Sequence, residues 1–234
     1  MRKLYHVGRA KINEMSERFA RRSQDTSTYD AILVSYGGSG TTFILKYLSS
    51  FMNVNSWDSH NDGIKHANSP NHPIFSNLHI KKCVYVYSDP MKAALSLFRR
   101  EFQSHMSVKL QDGNYSSVQD YNKHTKGHLP TFSLNDMILS GEDYLGINSH
   151  WKNWTLVKPD FPILFTRFES FYENLDSFFD FLEIDDRRRS TFPPKKERKS
   201  SVQQHSIDVQ DALRTIYGET LADMEAREPT FVRT

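Results

Sequence analysis

The sequence predicts an α/β fold, a three-layer sandwich in which helices cover both faces of a central parallel sheet. Three short apolar runs of strand length support this prediction, and each precedes a pattern typical of a helix: AILVSY (31–36), KKCVYVY (81–87) and ILFTRF (163–168). Strands that alternate with helices favour parallel pairing through right-handed crossovers. The loops after the three strands are then expected at one edge of the sheet, where α/β proteins bind ligands.

The chain of 234 residues is expected to form one domain, with an N-terminal helical extension at 1–28 and a C-terminal basic loop and helix at 185–234. The net charge of +2 does not indicate a nucleic-acid partner. No window approaches about 18 apolar residues, so we expect no membrane span. The N-terminus has no secretory pattern and Cys83 is the only cysteine, which together favour a cytoplasmic protein.

Helices are expected after each predicted strand and towards the C-terminus. In the second of them, Pro90 suits the first turn, with Ser88 or Asp89 as the N-cap. Two polar segments, 53–77 and 109–131, are expected to be long loops that border the acceptor pocket. The helical patterns cover 11–22, 41–52, 90–106, 133–138 (as a helix start), 148–157, 170–184 and 207–225.

The first strand runs into GGSGTT, which has the composition of an anion-binding loop. Glycines permit positive φ and close approach to a ligand, and two threonines add hydroxyls at a helix N-terminus. The loop is not a Walker A motif, since Thr41 stands where that motif has lysine. The sequence therefore predicts a fold of the P-loop nucleotide-binding type without the usual ATPase lysine. The predicted ligands are Gly37, Gly38, Ser39, Gly40, Thr41 and Thr42.

A second candidate anion site follows the second strand, in YSDPMKAALSLFRR. Ser96 lies three and four residues before Arg99 and Arg100, so the three side chains share one face of a helix. A hydroxyl and a guanidinium on one face can hold a phosphate.

Together the two segments resemble the sulfotransferase family. YGGSGTTF and YSDPMKAALS match, in order and internal spacing, the family's phosphosulfate loop and 3′-phosphate motif, and the third strand with its flanking helices (150–184) is also similar. The resemblance covers roughly 29–184. It implies 3′-phosphoadenosine 5′-phosphosulfate as donor, with GGSGTT on the phosphosulfate and Ser88, Ser96 and Arg99 on the 3′-phosphate.

The chain departs from the family at two positions that normally carry charge. Gly38 replaces the loop lysine and Ser88 replaces the arginine of the 3′-phosphate motif. Removing one charged hydrogen bond typically costs about 1.5–3 kcal/mol, so we expect cations from elsewhere in the chain. The candidates are Lys65, Arg99, Arg100, Arg198 and Lys199, of which the last two lie where the family has a late basic segment over the nucleotide.

Sulfuryl transfer also needs a base for the acceptor, and histidine suits neutral pH. GIKHANSPNHP resembles the family's stretch with a catalytic His, which makes His66 the predicted base. His60 and His72 are alternatives. No spacing among these histidines fits a zinc motif, so no metal is expected.

The leading expectation is a sulfotransferase that acts on a hydroxyl or amine of a small-molecule, carbohydrate or peptide acceptor. One alternative is a catalytically silent relative that binds phosphoadenosine or another anion. Another is a P-loop small-molecule kinase, which the missing lysine disfavours. The acceptor and the oligomeric state cannot be read from the sequence.

Overall fold

The computed structural model describes residues 27–56, 63–111, 129–195 and 201–234. The predicted helix at 11–22 lies outside them, as do Arg198, Lys199 and His60. The strands are β1 (Thr28–Tyr29), β2 (Ile32–Val34), β3 (His79–Ile80), β4 (Cys83–Tyr87), β5 (Ile163–Arg167) and β6 (Thr230–Arg233). The α-helices are α1 (Thr41–Leu48), α2 (Pro90–Arg99), α3 (Gln103–Gln111), α4 (Leu134–Ser140), α5 (Ile147–Leu156), α6 (Leu175–Phe181), α7 (Asp186–Arg189) and α8 (Ile207–Glu225). Short 3-10 helices cover Ile64–His66, Pro73–Phe75, Phe168–Asn174 and Val202–Gln204.

The main sheet has the order β2-β4-β5-β6, with β2, β4 and β5 parallel and β6 antiparallel to β5. The prediction of an α/β fold with parallel strands is confirmed, and all three predicted strands are present. β1 and β3 form a separate parallel pair, but Thr28 pairs with His79 at the same offset as Ile32 with Cys83. The small pair is therefore an upstream continuation of the β2–β4 ladder.

Alternating side chains of the strands supply two hydrophobic cores on opposite faces of the sheet. One core contains Ile32, Tyr85 and Phe165 and packs against α2, α5 and α8. The other contains Leu33 and Val84 and packs against α1 and α6. Because both faces are covered, the strands are buried on both sides, which explains why they read as continuous apolar runs.

Several element boundaries differ from the sequence expectation. The chain after α2 turns at Glu101, which has φ of 59°, and continues as α3 instead of one long helix. The predicted helix at 170–184 begins as the 3-10 helix Phe168–Asn174, and β6 has no counterpart in the prediction. Within the described residues, no helix is long and apolar enough to cross a membrane.

Candidate anion-binding site

The loop between β2 and α1 is held in an unusual backbone conformation by its glycines. Gly37, Gly38 and Gly40 have φ of 86°, 70° and 74°, values that residues with a Cβ adopt only under strain. Gly40 is the N-cap of α1, and no side-chain hydrogen bond caps this helix. The first turn of α1 also contains no acidic residue. Backbone N–H groups and the positive end of the helix dipole are therefore directed at the space before α1.

Two neighbours explain why glycine occupies positions 38 and 40. A Cβ at Gly38 would lie 3.0 Å from both the Cα and the carbonyl oxygen of Ala93 in α2. A Cβ at Gly40 would overlap the ring of Phe168. The loop thus packs directly on α2 and Phe168, and a lysine at position 38 would meet helix backbone. The geometry of this loop therefore favours glycine over lysine at position 38.

A lysine from another segment reaches the same place. Lys65, in the 3-10 helix Ile64–His66, is 3% exposed and directs its Nζ to Thr42 Oγ1 at 3.1 Å. Its backbone is fixed to the sheet because Ser35 N–H donates to the Lys65 carbonyl at 3.0 Å. An ammonium group therefore lies at the first turn of α1, where an anion bound by the loop would also lie.

His66 lies next to Lys65 on the same turn and is also buried. Its Nδ1 is 2.6 Å from the Ser35 carbonyl oxygen. Because a carbonyl only accepts, Nδ1 carries the proton and Nε2 carries the lone pair. Burial, followed by the charges of Lys65 and Lys109, lowers the pKa of His66 well below 6.5. The ring is therefore neutral at pH 7 and able to accept a proton.

The turn after β4 is built differently. The Tyr36 hydroxyl accepts from the Ser88 N–H at 2.7 Å and donates to the Ser88 carbonyl, and Ser88 is fully buried. Asp89 Oδ1 accepts from the N–H groups of Met91 and Lys92 at 2.9 and 3.1 Å. The N-terminus of α2 is thus occupied by its own cap, as expected for one of the two candidate caps.

The other end of α2 faces the glycine loop. Ser96, Arg99 and Arg100 border a cavity of about 310 Å³ together with that loop. Arg100 Nε donates to the Ser96 carbonyl at 3.1 Å, and its guanidinium lies 5.1 Å from the centre of the Phe102 ring. The cavity lining consists of Gly37, Gly38, Gly40, Thr41, Thr42, Lys65, His66, Ser96, Leu97, Arg99, Arg100, Phe102, Met106 and Phe168.

The lining has a distinct charge pattern. Of the described residues that form it, all formally charged side chains are cationic, namely Lys65, Arg99 and Arg100. One wall is apolar, formed by Leu97, Phe102, Met106 and Phe168. Such a site suits a ligand that combines an anionic group with an apolar or aromatic part.

The structure brings most of the sequence-predicted ligands together. Gly37, Gly38, Gly40, Thr41, Thr42, His66, Ser96 and Arg99 all line the cavity, as do Lys65 and Arg100. Ser39 and Ser88 are fully buried and do not line it. His72 lies elsewhere, where its Nδ1 accepts from Ile74 N–H to cap the 3-10 helix Pro73–Phe75.

Sequence reasoning missed the apolar wall. Met106 and Phe102 reach the cavity only because the chain reverses at Glu101, a residue that carries no turn signal. Phe168 lies directly after β5 and packs on Gly40, a contact that no sequence pattern indicates. In the described part of the chain, no cluster of His, Cys, Asp or Glu could hold a metal ion.

Comparison of the chain with protein-family models, curated proteins and solved structures gave no match.

Proposed function

We propose that this chain is a sulfotransferase with a fold of the P-loop nucleotide-binding type, which transfers a sulfuryl group from 3′-phosphoadenosine 5′-phosphosulfate to a hydroxyl or amine. The observation that carries the proposal is the convergence of three features on one cavity. These are the uncapped N-terminus of α1, the Lys65 ammonium at Thr42, and the neutral His66.

The residues present fit the anionic part of this donor. The glycine loop and α1 offer backbone N–H groups to the phosphosulfate, and Lys65 supplies the cation that Gly38 does not. Ser96 and Arg99, which also line the cavity, offer a hydroxyl and a guanidinium for the second phosphate. When bound, the donor supplies a sulfuryl group whose S–O bond to phosphate breaks as the acceptor oxygen or nitrogen attacks sulfur.

The roles of the protein groups follow from their protonation. His66 Nε2 takes the proton of the acceptor hydroxyl or amine, and the Ser35 carbonyl stabilises the resulting imidazolium through Nδ1–H. Lys65 and the N-terminus of α1 stabilise the negative charge that develops on the departing phosphate. The low dielectric of the buried turn strengthens both interactions relative to water.

A silent binding protein is the second candidate, and one observation favours it. Ser88 stands where sulfotransferases have an arginine. Its backbone is hydrogen-bonded to the Tyr36 hydroxyl, and it does not line the cavity. Binding without turnover would then be the activity of the same site.

Isothermal titration calorimetry with 3′,5′-phosphoadenosine and with ATP tests the proposal. We expect binding of 3′,5′-phosphoadenosine and much weaker binding of ATP. A preference for ATP would instead support the small-molecule kinase. If neither nucleotide binds, the cavity is not a nucleotide site.

Turnover then separates the enzyme from the silent binder. Release of 3′,5′-phosphoadenosine from the donor, with a panel of phenol, sugar and amine acceptors, should be abolished in His66→Ala. The control His72→Ala removes a buried histidine that lies away from the cavity, where it caps the 3-10 helix Pro73–Phe75, and it should retain activity. Unchanged turnover in His66→Ala would remove the base assignment.

A further inference from the structure

The two reactive side chains of the proposed site share one very short element. Lys65 and His66 lie on a single 3-10 turn of three residues, Ile64–His66. On its inner side this turn is fixed to the end of β2, because Ser35 N–H donates to the Lys65 carbonyl and His66 Nδ1–H donates to the Ser35 carbonyl. A turn this short has little rigidity of its own, so its position depends on the contacts around it.

Its outer side is held by the last turn of α5. Trp154 Nε1–H donates to the Ala67 carbonyl at 2.8 Å, and Asn153 Nδ2–H donates to the Asn68 carbonyl at 3.1 Å. Two consecutive side chains of a helix thus bind two consecutive carbonyls that directly follow His66. Both carbonyls belong to a segment without regular secondary structure.

Trp154 is a fixed support for this contact. It is fully buried, and its ring centroid lies 5.5 Å from that of Tyr85 and 6.2 Å from that of Phe75. Tyr85 belongs to strand β4 in the interior of the sheet. Trp154 therefore packs against the sheet and at the same time binds the segment that follows Lys65 and His66.

We propose that Asn153 and Trp154 are positioning residues, which hold Ala67 and Asn68 against α5 and thereby keep Lys65 and His66 buried at the cavity. The catalytic consequence rests on the proposed sulfuryl transfer. The positional claim does not, since it concerns the environment of His66 in the ligand-free protein.

A titration of the His66 ring by NMR tests the positional claim without any substrate. The groups that act on His66 are Lys65 on its own turn, Lys109 on α3, His150 on α5 and the Ser35 carbonyl. The chain has ten histidines, and the His66 signal is the one absent from His66→Gln. In Asn153→Ala, the turn gains access to water, and we expect the His66 pKa to rise by about one unit, equivalent to about 1.4 kcal/mol.

Two further variants make the result specific. Trp154→Phe keeps an aromatic ring in the core but removes the N–H donor. Like Asn153→Ala, it should raise the His66 pKa. The control is Asn148→Ala on the same helix, because Asn148 Nδ2–H donates to the Ile216 carbonyl of α8 at 2.8 Å, away from the cavity. This control should lose stability but leave the His66 titration unchanged.

Kinetics complete the test. Asn153→Ala should lower kcat about tenfold with little change in KM for the donor. Asn148→Ala should leave both kcat and KM unchanged. If the His66 titration is the same in Asn153→Ala as in Asn148→Ala, the positioning role is wrong. If the titration shifts but the wild-type protein has no turnover, the positioning role stands and the proposed function fails.

Discussion

The two loops that follow β2 and β4 differ in how their helices begin, although both were expected to grip an anion. The loop before α1 has three glycines with positive φ and no side-chain cap, and it borders the cavity. The turn before α2 is closed: Asp89 accepts the first N–H groups, and Tyr36 binds both backbone groups of Ser88.

This difference shows what makes a helix N-terminus available to a ligand. A carboxylate cap satisfies the N–H groups and cancels the positive end of the dipole, so no affinity for a second anion remains. Of these two helices, α1 is the one whose N-terminus has no side-chain cap and borders the cavity. α2 contributes to the cavity through its last turns instead, with Ser96 and Arg99.

The largest effect should come from the cation at the open loop. Lys65→Met keeps the aliphatic stem but removes the charge at Thr42. Loss of a charged hydrogen bond of about 1.5–3 kcal/mol should weaken binding of 3′,5′-phosphoadenosine roughly tenfold to 150-fold. Turnover should fall on the order of 100- to 1,000-fold.

The control belongs to the closed turn. Lys92 forms an ion pair of 3.7 Å with Asp89, and Lys92→Met should leave affinity unchanged in the same calorimetric titration. If both variants lose the same affinity, binding depends only on the net charge of the protein. The proposed difference between the two loops would then be wrong.

Placing a lysine at position 38, as in sulfotransferase loops, should not improve anion binding. In Gly38→Lys, the new side chain meets the backbone of Ala93 while φ stays near 70°, and we expect a loss of about 1–3 kcal/mol in the free energy of unfolding, with weaker anion binding. Urea denaturation and calorimetry measure the two effects.

Gly218 in α8 provides the matched glycine. A Cβ there meets nothing within 4 Å, so Gly218→Lys should be neutral or stabilising. Higher affinity or turnover in Gly38→Lys than in the wild type would show that the loop opens to accept lysine, contrary to the close packing on α2.

Acid should weaken the structure that supports both loops. Tyr36, which joins them, packs edge-on against His150 at 6.2 Å. Burial lowers the pKa of His150 to about 3 from its ordinary 6.5. Between these values the unfolded chain binds a proton that the folded protein does not, so the free energy of unfolding falls as the pH falls, by up to about 1.4 kcal/mol per pH unit.

Urea denaturation from pH 7 to pH 4 measures this dependence. His150→Gln retains a polar partner for the Tyr85 hydroxyl, which lies 2.8 Å from His150 Nδ1, and removes the titration. Its stability should decline less steeply with acid than that of the wild type. His66 and His72, whose pKa values are also lowered, contribute to the slope that remains in this variant. Parallel slopes in the two proteins would contradict the assignment to His150.

The smallest effect should come from opening the closed turn. Asp89→Ala removes the N-cap of α2 and should cost about 1 kcal/mol of unfolding free energy. Affinity for 3′,5′-phosphoadenosine should not change, because Asp89 is outside the cavity lining. A marked change in affinity would show that the second turn takes part in binding after all.

The sequence predictions were accurate where a feature depends on residues close together in the chain, and they failed where it depends on residues far apart. The three parallel strands β2, β4 and β5 and the helix starts at Pro90 and Ser133 were predicted correctly, since they depend on local periodicity and caps. The apolar wall was not, because Phe102 and Met106 reach the cavity through a reversal at Glu101 that no local pattern indicates. Ser88 was expected at the ligand, and the structure places it in the interior.

The sequence by itself determined the strand, the glycine turn and the helix that form the proposed anion cradle, because each depends on residues adjacent in the chain. Only the tertiary structure decided which cation serves that cradle. Lys65 reaches Thr42 from 23 residues away because its turn is bound to the end of β2 and to α5. Such a contact depends on how two segments pack, and the spacing between them in the sequence does not specify it.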